Sequence, residues 1–261
     1  MPHTPLPIPL YYELRGRGPR LLSISGSGSN LGIRPSVVKD PAFAEFELLS
    51  YDHRGLGHSG QAAGQPQMQD FADDAVRLLD HLGWESAHVL GVSFGGMVAQ
   101  HLAVRHPQRV QHLVLACTSS GGAGGSSYPL HELLHLRASE RWHTTLPLFD
   151  TRPEQIEKLR KQADTIIAQV VDPSTEAGAR AQLLARAHHD VWEQLPQLRC
   201  PTLVCAGRYD GIAPLANSMA LTARIPGARL GVFEGGHSFL LQDRRAPITV
   251  ARFLRESAPV A

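Results

Sequence analysis

The sequence predicts an α/β domain, a mostly parallel sheet with helices on both faces, interrupted by an inserted helical segment. Two observations carry this. Short apolar runs alternate with helix-period segments through residue 118 and again from about 196 onward, whereas residues 119–195 show helical patterns and no strand signal. With 261 residues and 43% hydrophobic side chains, the chain can bury one large core. One domain with an insertion is therefore expected, with 1–118 and 196–261 forming the core and 119–195 the insertion.

The elements follow in order. A proline-rich start leads to an edge strand near Leu10–Leu14, a strand over Arg20–Ser25, and another over Phe46–Tyr51. From Met68 to Leu82, Phe71, Ala75, Leu78, Leu79 and Leu82 recur at helical spacing, and Gly83 provides a stop. Ser86–Leu90 reads as a short strand that runs into Gly91. Phe94–Ala103 then reads as a helix closing near His106-Pro107, and Val110–Cys117 is apolar except for Gln111 and His112. The glycine-rich Gly121–Ser127 opens the insertion, which carries helical patterns near Pro129–Thr144, Pro153–Val171 and Ser174–Ala187. A connection of that length needs structure of its own. Strand signals return at Pro201–Ala206 and Arg229–Glu234, with helices at Leu215–Ile225 and from about Pro247 to Glu256.

Composition excludes several classes. Twenty-five Lys and Arg stand against 24 Asp and Glu, a formal charge of +1, so neither nucleic acid nor an anionic membrane surface is an expected partner. No apolar run approaches a membrane span, and the first nine residues lack the basic and apolar regions of a secretory signal. Three cysteines make no disulfide framework; Cys200 and Cys205 bracket one strand, too far apart to bridge. The expectation is a cytoplasmic protein, with homo-oligomerisation left open.

Three motifs carry chemistry. Gly91-Val92-Ser93-Phe94-Gly95 has the G-x-S-x-G form of a nucleophile elbow, and its strand–turn–helix context fits. Asp210, in Gly207-Arg208-Tyr209-Asp210-Gly211, lies just beyond a buried strand. His237, in Gly235-Gly236-His237-Ser238-Phe239, follows the next one. Open α/β sheets build their sites at the carboxyl ends of strands. A serine hydroxyl is a weak nucleophile until a base takes its proton, and that base needs an orienting acid. Ser93, Asp210 and His237 supply the three roles, in the chain order Ser, Asp, His.

With these motifs the chain resembles the α/β-hydrolase fold superfamily, in its lidded, cofactor-free branch of enol-lactone hydrolases, esterases, perhydrolases and carbon–carbon hydrolases. The likeness covers nearly the whole chain. It includes Tyr51-Asp52-His53-Arg54-Gly55-Leu56-Gly57-His58-Ser59, similar to the family's YDxRGxGxS turn, and Ser25-Gly26-Ser27-Gly28, where the family often has His-Gly-x-Gly. Ser25 stands in the histidine position, a departure shared by enol-lactonase-like members.

The resemblance implies a helical lid over residues 119–195, an oxyanion hole built from the backbone N–H groups of Ser27 and Phe94, and no cofactor or metal. The implied function is a serine hydrolase acting on a small ester or lactone, its partner being that small molecule. An aspartate nucleophile, as in dehalogenases and epoxide hydrolases, is excluded by Ser93. Substrate contacts are expected from Trp142 and from Arg137 and Arg141, with Arg34 a further cation able to clamp a carboxylate. Asp52, His53 and Arg54 are read as tying a loop, and Trp192 and Phe149 as packing residues.

Alternative readings remain. A carbon–carbon hydrolase or a perhydrolase would use the same triad. A non-catalytic ligand receptor could occupy the same scaffold. His131-Glu132-Leu133-Leu134-His135 also matches H-E-x-x-H, in which two histidines one helical turn apart hold zinc. That motif falls inside the insertion of a chain with 14 histidines, where chance matches are frequent.

Overall fold

The computed structural model describes residues 3–5, 7–61 and 64–256; the ends of the expected core segments, 1–2 and 257–261, lie outside the described residues. Its strands are β1 (Tyr12–Arg15), β2 (Arg20–Ile24), β3 (Glu47–Tyr51), β4 (Ala87–Val92), β5 (Val110–Ala116), β6 (Thr202–Gly207) and β7 (Arg229–Phe233). They form one sheet in the order β1-β3-β2-β4-β5-β6-β7. Only β1 runs antiparallel to its neighbour; every other pairing is parallel.

Successive strand residues point to opposite faces, which is why the strands read as continuous apolar runs. Leu22, Leu49, Val89, Leu113 and Val204 pack on one face with α1 (Met68–His81), α2 (Phe94–Arg105) and α6 (Leu215–Arg224). Their neighbours Leu21, Leu48, Leu90, Val114 and Leu203 pack on the other with Phe239, Leu240 and α8 (Arg245–Leu254). α1 is amphipathic and half exposed, whereas Phe94 to Ala103 of α2 are all buried.

The connection from β5 to β6 holds α3 (Ala138–Phe149), α4 (Pro153–Val170) and α5 (Glu176–Ala187). Leu146, Ala163 and Ile167 form a small apolar cluster of their own between α3 and α4. Ala185, Val191, Leu195 and Leu198, by contrast, join the main core. The far end of the insertion is thus anchored in the sheet's packing.

Two boundaries differ from the periodicity. The helix expected over Pro129–Thr144 is divided: Leu130–His135 is 3₁₀, and α3 starts afresh at Ala138. The restart has a local cause, because Glu140 in the first turn of α3 accepts the N–H of Arg137 at 2.8 Å. A short helix, α7 (Phe239–Gln242), follows His237, and α8 begins at Arg245, where Asp243 accepts that residue's N–H at 2.9 Å.

After β3 the chain crosses to the other side of β2 to lay down β4. Strand order therefore reverses between β2 and β4, and the crevice beyond their carboxyl ends is the switch point where such sheets bind ligands. The parallel register pairs Ile24 with Gly91, which sets the Gly26–Ser27 turn beside the Ser93 turn.

Candidate active site

Ser93 has φ 55° and ψ −116°, a left-handed conformation that a non-glycine residue holds only when its surroundings enforce it. Two hydrogen bonds do so: Ser93 N–H donates to Ala116 O at 2.8 Å, and Thr118 Oγ1–H donates to Ser93 O at 2.8 Å. The flanking glycines are steric requirements. A Cβ on Gly91 would come within 2.7 Å of Gly96 Cα, and one on Gly95 would overlap the carbonyls of Ile24 and Ser25. Strand, serine and helix are thus locked together at the end of β4.

Three strand ends converge here. His237 Nε2 lies 2.9 Å from Ser93 Oγ, and His237 Nδ1 lies 2.8 Å from Asp210 Oδ2. A carboxylate only accepts, so Nδ1 carries the proton and Nε2 is free to accept the serine's. Asp210 has a fully buried side chain, and its Oδ1 accepts the N–H groups of Ile212 and Ala213, both at 2.8 Å. His237 is held by its own N–H, which donates to Phe149 O at 2.6 Å. The Phe149 ring meets the imidazole edge-on at 5.6 Å.

The turn after β2 brings Gly26 against the nucleophile: a Cβ there would lie 3.4 Å from Ser93 Cβ. Among the described residues, neither the Ser27 N–H nor the Phe94 N–H donates to a protein acceptor. Phe94 directly follows Ser93, and Ser27 lines the same cavity as Ser93.

That cavity has a volume of about 700 Å³ and lies between the sheet's carboxyl edge and the inserted helices. Leu130, Leu133, Leu146, Ile166 and Leu183 give it an apolar wall. Trp142 lines it, stacked on Phe149 with ring centroids 5.3 Å apart. Phe149 was read as packing, yet it lines the cavity as well.

The arginines separate. Arg137 is 84% exposed, pairs with Glu140 and does not reach the cavity, so the expectation that it contacts substrate is corrected. It lies at the start of α3, outside the face that turns inward. Arg141 lines the cavity, but its Nη2 donates to both carboxylate oxygens of Glu176, at 2.7 and 2.9 Å. Arg34 lines it while donating to the carbonyls of Leu31 and Ile33. Arg186, which sequence reasoning missed, is a buried cation in the lining. Its one signal was a position four residues after Gln182 on a helix face otherwise apolar.

The H-E-x-x-H reading fails on geometry. Residues 130–135 are 3₁₀, and at three residues per turn side chains four apart diverge by about 120°. His135 instead donates through Nδ1 to Glu132 O at 2.8 Å. Among the described residues, the donors that gather within 4.8 Å are Cys117, Asp210 and His237. Burial pushes the Cys117 thiol well above its ordinary range, so it stays protonated beside Asp210. Neither that thiol nor its left-handed φ of 44° was foreseen.

Asp52, His53 and Arg54 stay outside the cavity lining. Asp52 accepts the N–H groups of Leu31 and His58, at 2.7 and 2.9 Å. Arg54 forms a buried bidentate pair with Asp74 of α1, both contacts at 2.7 Å. The turn is a brace, the role that the resemblance implied.

The family model described as serine aminopeptidase, S33, matches residues 20–244. RutD of Azorhizobium caulinodans, named as a carbamate hydrolase, is 31% identical over 243 residues, covering 88% of each chain. The 3-oxoadipate enol-lactonase 2 of Acinetobacter baylyi is 28% identical, over 84% of this chain and 82% of its own. The crystal structure of an enol-lactonase from Burkholderia xenovorans LB400 superposes with a TM-score of 0.83 at 25% identity, covering 98% of this chain and all of that one. With the sheet order, the elbow and the family match in agreement, the chain belongs to the α/β-hydrolase superfamily, in the family described as serine aminopeptidase, S33.

Proposed function

We propose that this chain is a serine hydrolase that cleaves a small carboxylic ester or lactone through an acyl-enzyme on Ser93. The observation that carries the reading is the unbroken chain Ser93 Oγ, His237 Nε2, His237 Nδ1 and Asp210 Oδ2, with links of 2.9 and 2.8 Å. The enol-lactonases among its relatives support the substrate class.

Ser93 Oγ attacks the carbonyl carbon as its proton passes to His237 Nε2. The imidazolium is stabilised by the Asp210 carboxylate. Negative charge develops on the carbonyl oxygen, where the Ser27 and Phe94 N–H groups are free to receive it; such donors are worth about 3–4 kcal/mol each in other enzymes. The tetrahedral adduct collapses, the carbon–oxygen bond to the alcohol breaks, and His237 Nε2–H protonates the departing oxygen. In a lactone that alcohol stays tethered to the acyl group. Water, deprotonated by His237, then attacks the acyl carbon, and Ser93 leaves with the proton returned to it.

The inserted helices act as a lid that keeps this chemistry in an apolar chamber. A chamber of about 700 Å³ suits a small substrate. The reading is tested by screening p-nitrophenyl esters and simple lactones, with mass spectrometry of the protein trapped mid-turnover. An acyl adduct on Ser93 is the expected result; turnover without any Ser93 adduct, or turnover that persists in the Ser93→Ala protein, overturns it.

A further inference from the structure

Among the described residues, every cation that lines the cavity has a short hydrogen bond or an open path to solvent, except Arg186. Arg141 is neutralised by Glu176, Arg34 is engaged by carbonyls, and Lys158 is exposed. Arg186 is 7% exposed and lines the same cavity as Ser93. Its Nη2 has one long contact, 3.5 Å from Tyr128 O, and its Nη1 is buried with no hydrogen-bond partner. No ion pair to Arg186 exists among the described residues, and burial alone pushes its guanidinium down to about 10, still charged at neutral pH.

A buried arginine without a carboxylate is costly, because a charge removed from water needs a counter-charge or full hydrogen bonding. The lining around it sharpens the point. Arg34, Arg141, Lys158 and Arg186 contribute to it, yet no Asp or Glu does among the described residues. This asymmetry arises in a chain whose net charge is only +1. The position is also held firmly. One turn earlier on α5, Gln182 is fully buried and accepts the Gly28 N–H at 2.8 Å, which pins this helix to the turn carrying Ser27. Ala179, Leu183 and Arg186 then form the face that α5 turns toward the cavity.

Resting on the serine-hydrolase reading, we infer that Arg186 is the receptor for an anionic group of the substrate, and that the enzyme acts on esters or lactones bearing a free carboxylate. The planar guanidinium supplies donors matched to two carboxylate oxygens, and the substrate supplies the counter-charge the protein withholds. The apolar wall would then pack the carbon chain between that carboxylate and the scissile carbonyl.

The test compares mono-p-nitrophenyl adipate and suberate with p-nitrophenyl hexanoate and octanoate, in which a methyl group replaces the carboxylate. Wild-type kcat/KM should favour the carboxylate member of each pair by roughly tenfold or more, the size expected for a hydrogen bond between charged groups. Arg186→Met should bring that ratio down toward unity, mainly through KM, and Arg186→Lys should retain part of it. Should Arg186→Met not fold, by circular dichroism, the lysine variant carries the comparison. An unchanged ratio in a folded variant, or no wild-type preference, overturns the inference. If none of these esters is hydrolysed, the ester reading fails separately, and calorimetry with adipate decides. Adipate binding that Arg186→Met abolishes upholds the anion site, and no binding to wild type overturns it.

Discussion

His53 Nε2–H donates to the backbone carbonyl of Ser25 at 3.1 Å, joining the 51–59 turn to the loop that presents Ser27. The imidazole is sandwiched edge-on among Tyr51, Phe71 and Phe94, the last being the residue after the nucleophile. The loop after β2 and the start of α2 thus both contact one buried ring. Burial pushes His53 down to about 4, so it remains neutral while it makes this bond.

The first prediction follows from that shift and its companions. Burial also lowers His88 and His101 to about 4 and His189 to about 3. In the unfolded chain each titrates near about 6.5. Between those values the unfolded state binds more protons than the folded one, so stability is full above about pH 6.5 and declines as pH falls toward 4. His101 and His189 share one short contact of 3.2 Å, and because His189 Nε2–H donates to Ser119 O, its Nδ1 accepts from His101. A second proton there would break the pair. Urea midpoints should fall steadily from pH 7 to pH 4.5, and His101→Gln should make the decline shallower. A flat profile over that range contradicts the burial argument.

Ser93→Ala should lower kcat by on the order of 10³-fold or more with the melting temperature nearly unchanged, since triad members act as a unit. A fluorophosphonate should label Ser93 in wild type and leave the variant unlabelled. Asp210→Asn should also lower kcat severely, because an amide at Oδ2 favours the tautomer with its proton on Nε2. Near-normal turnover in either protein would move the nucleophile or the orienting acid elsewhere.

Asp74→Leu leaves the Arg54 guanidinium buried without its bidentate partner, both side chains being almost fully enclosed. Breaking such a pair from one side costs about 3–5 kcal/mol. Denaturant unfolding should report that loss, and the double variant Arg54→Met/Asp74→Leu should recover much of it. A single-variant cost below about 1 kcal/mol would show that the turn is braced by other contacts.

Phe149→Ala removes the ring that stacks on Trp142 and meets His237 edge-on. The backbone carbonyl that holds the His237 N–H survives the substitution. The expected effect is a fall in kcat/KM of about tenfold, in line with aromatic contacts worth about 0.5–1.5 kcal/mol each. Unchanged kinetics toward both short and long acyl esters would mean that the ring only packs.

The sequence by itself determined the layered architecture, the strand positions and the convergence of Ser93, Asp210 and His237. These are legible because they rest on local information: apolar runs, glycines at a strained turn, and polar residues placed just past a strand's end. The sheet then does the assembling, since parallel strands in one layer carry their carboxyl ends to one edge. Tertiary structure alone decided which inserted residues reach the cavity. Arg137 and Arg141 are four residues apart, yet one points to solvent and the other inward, because Glu140 restarts the helix at Ala138. Arg186 was overlooked in the sequence for a related reason. An arginine on a helix is ordinarily solvated, and only the docking of α5 through Gln182 onto Gly28 turns this one into the chamber. Residues 131–135 show the same limit, for the spacing of two histidines has meaning only once the backbone is known to be α-helical, and here it is 3₁₀.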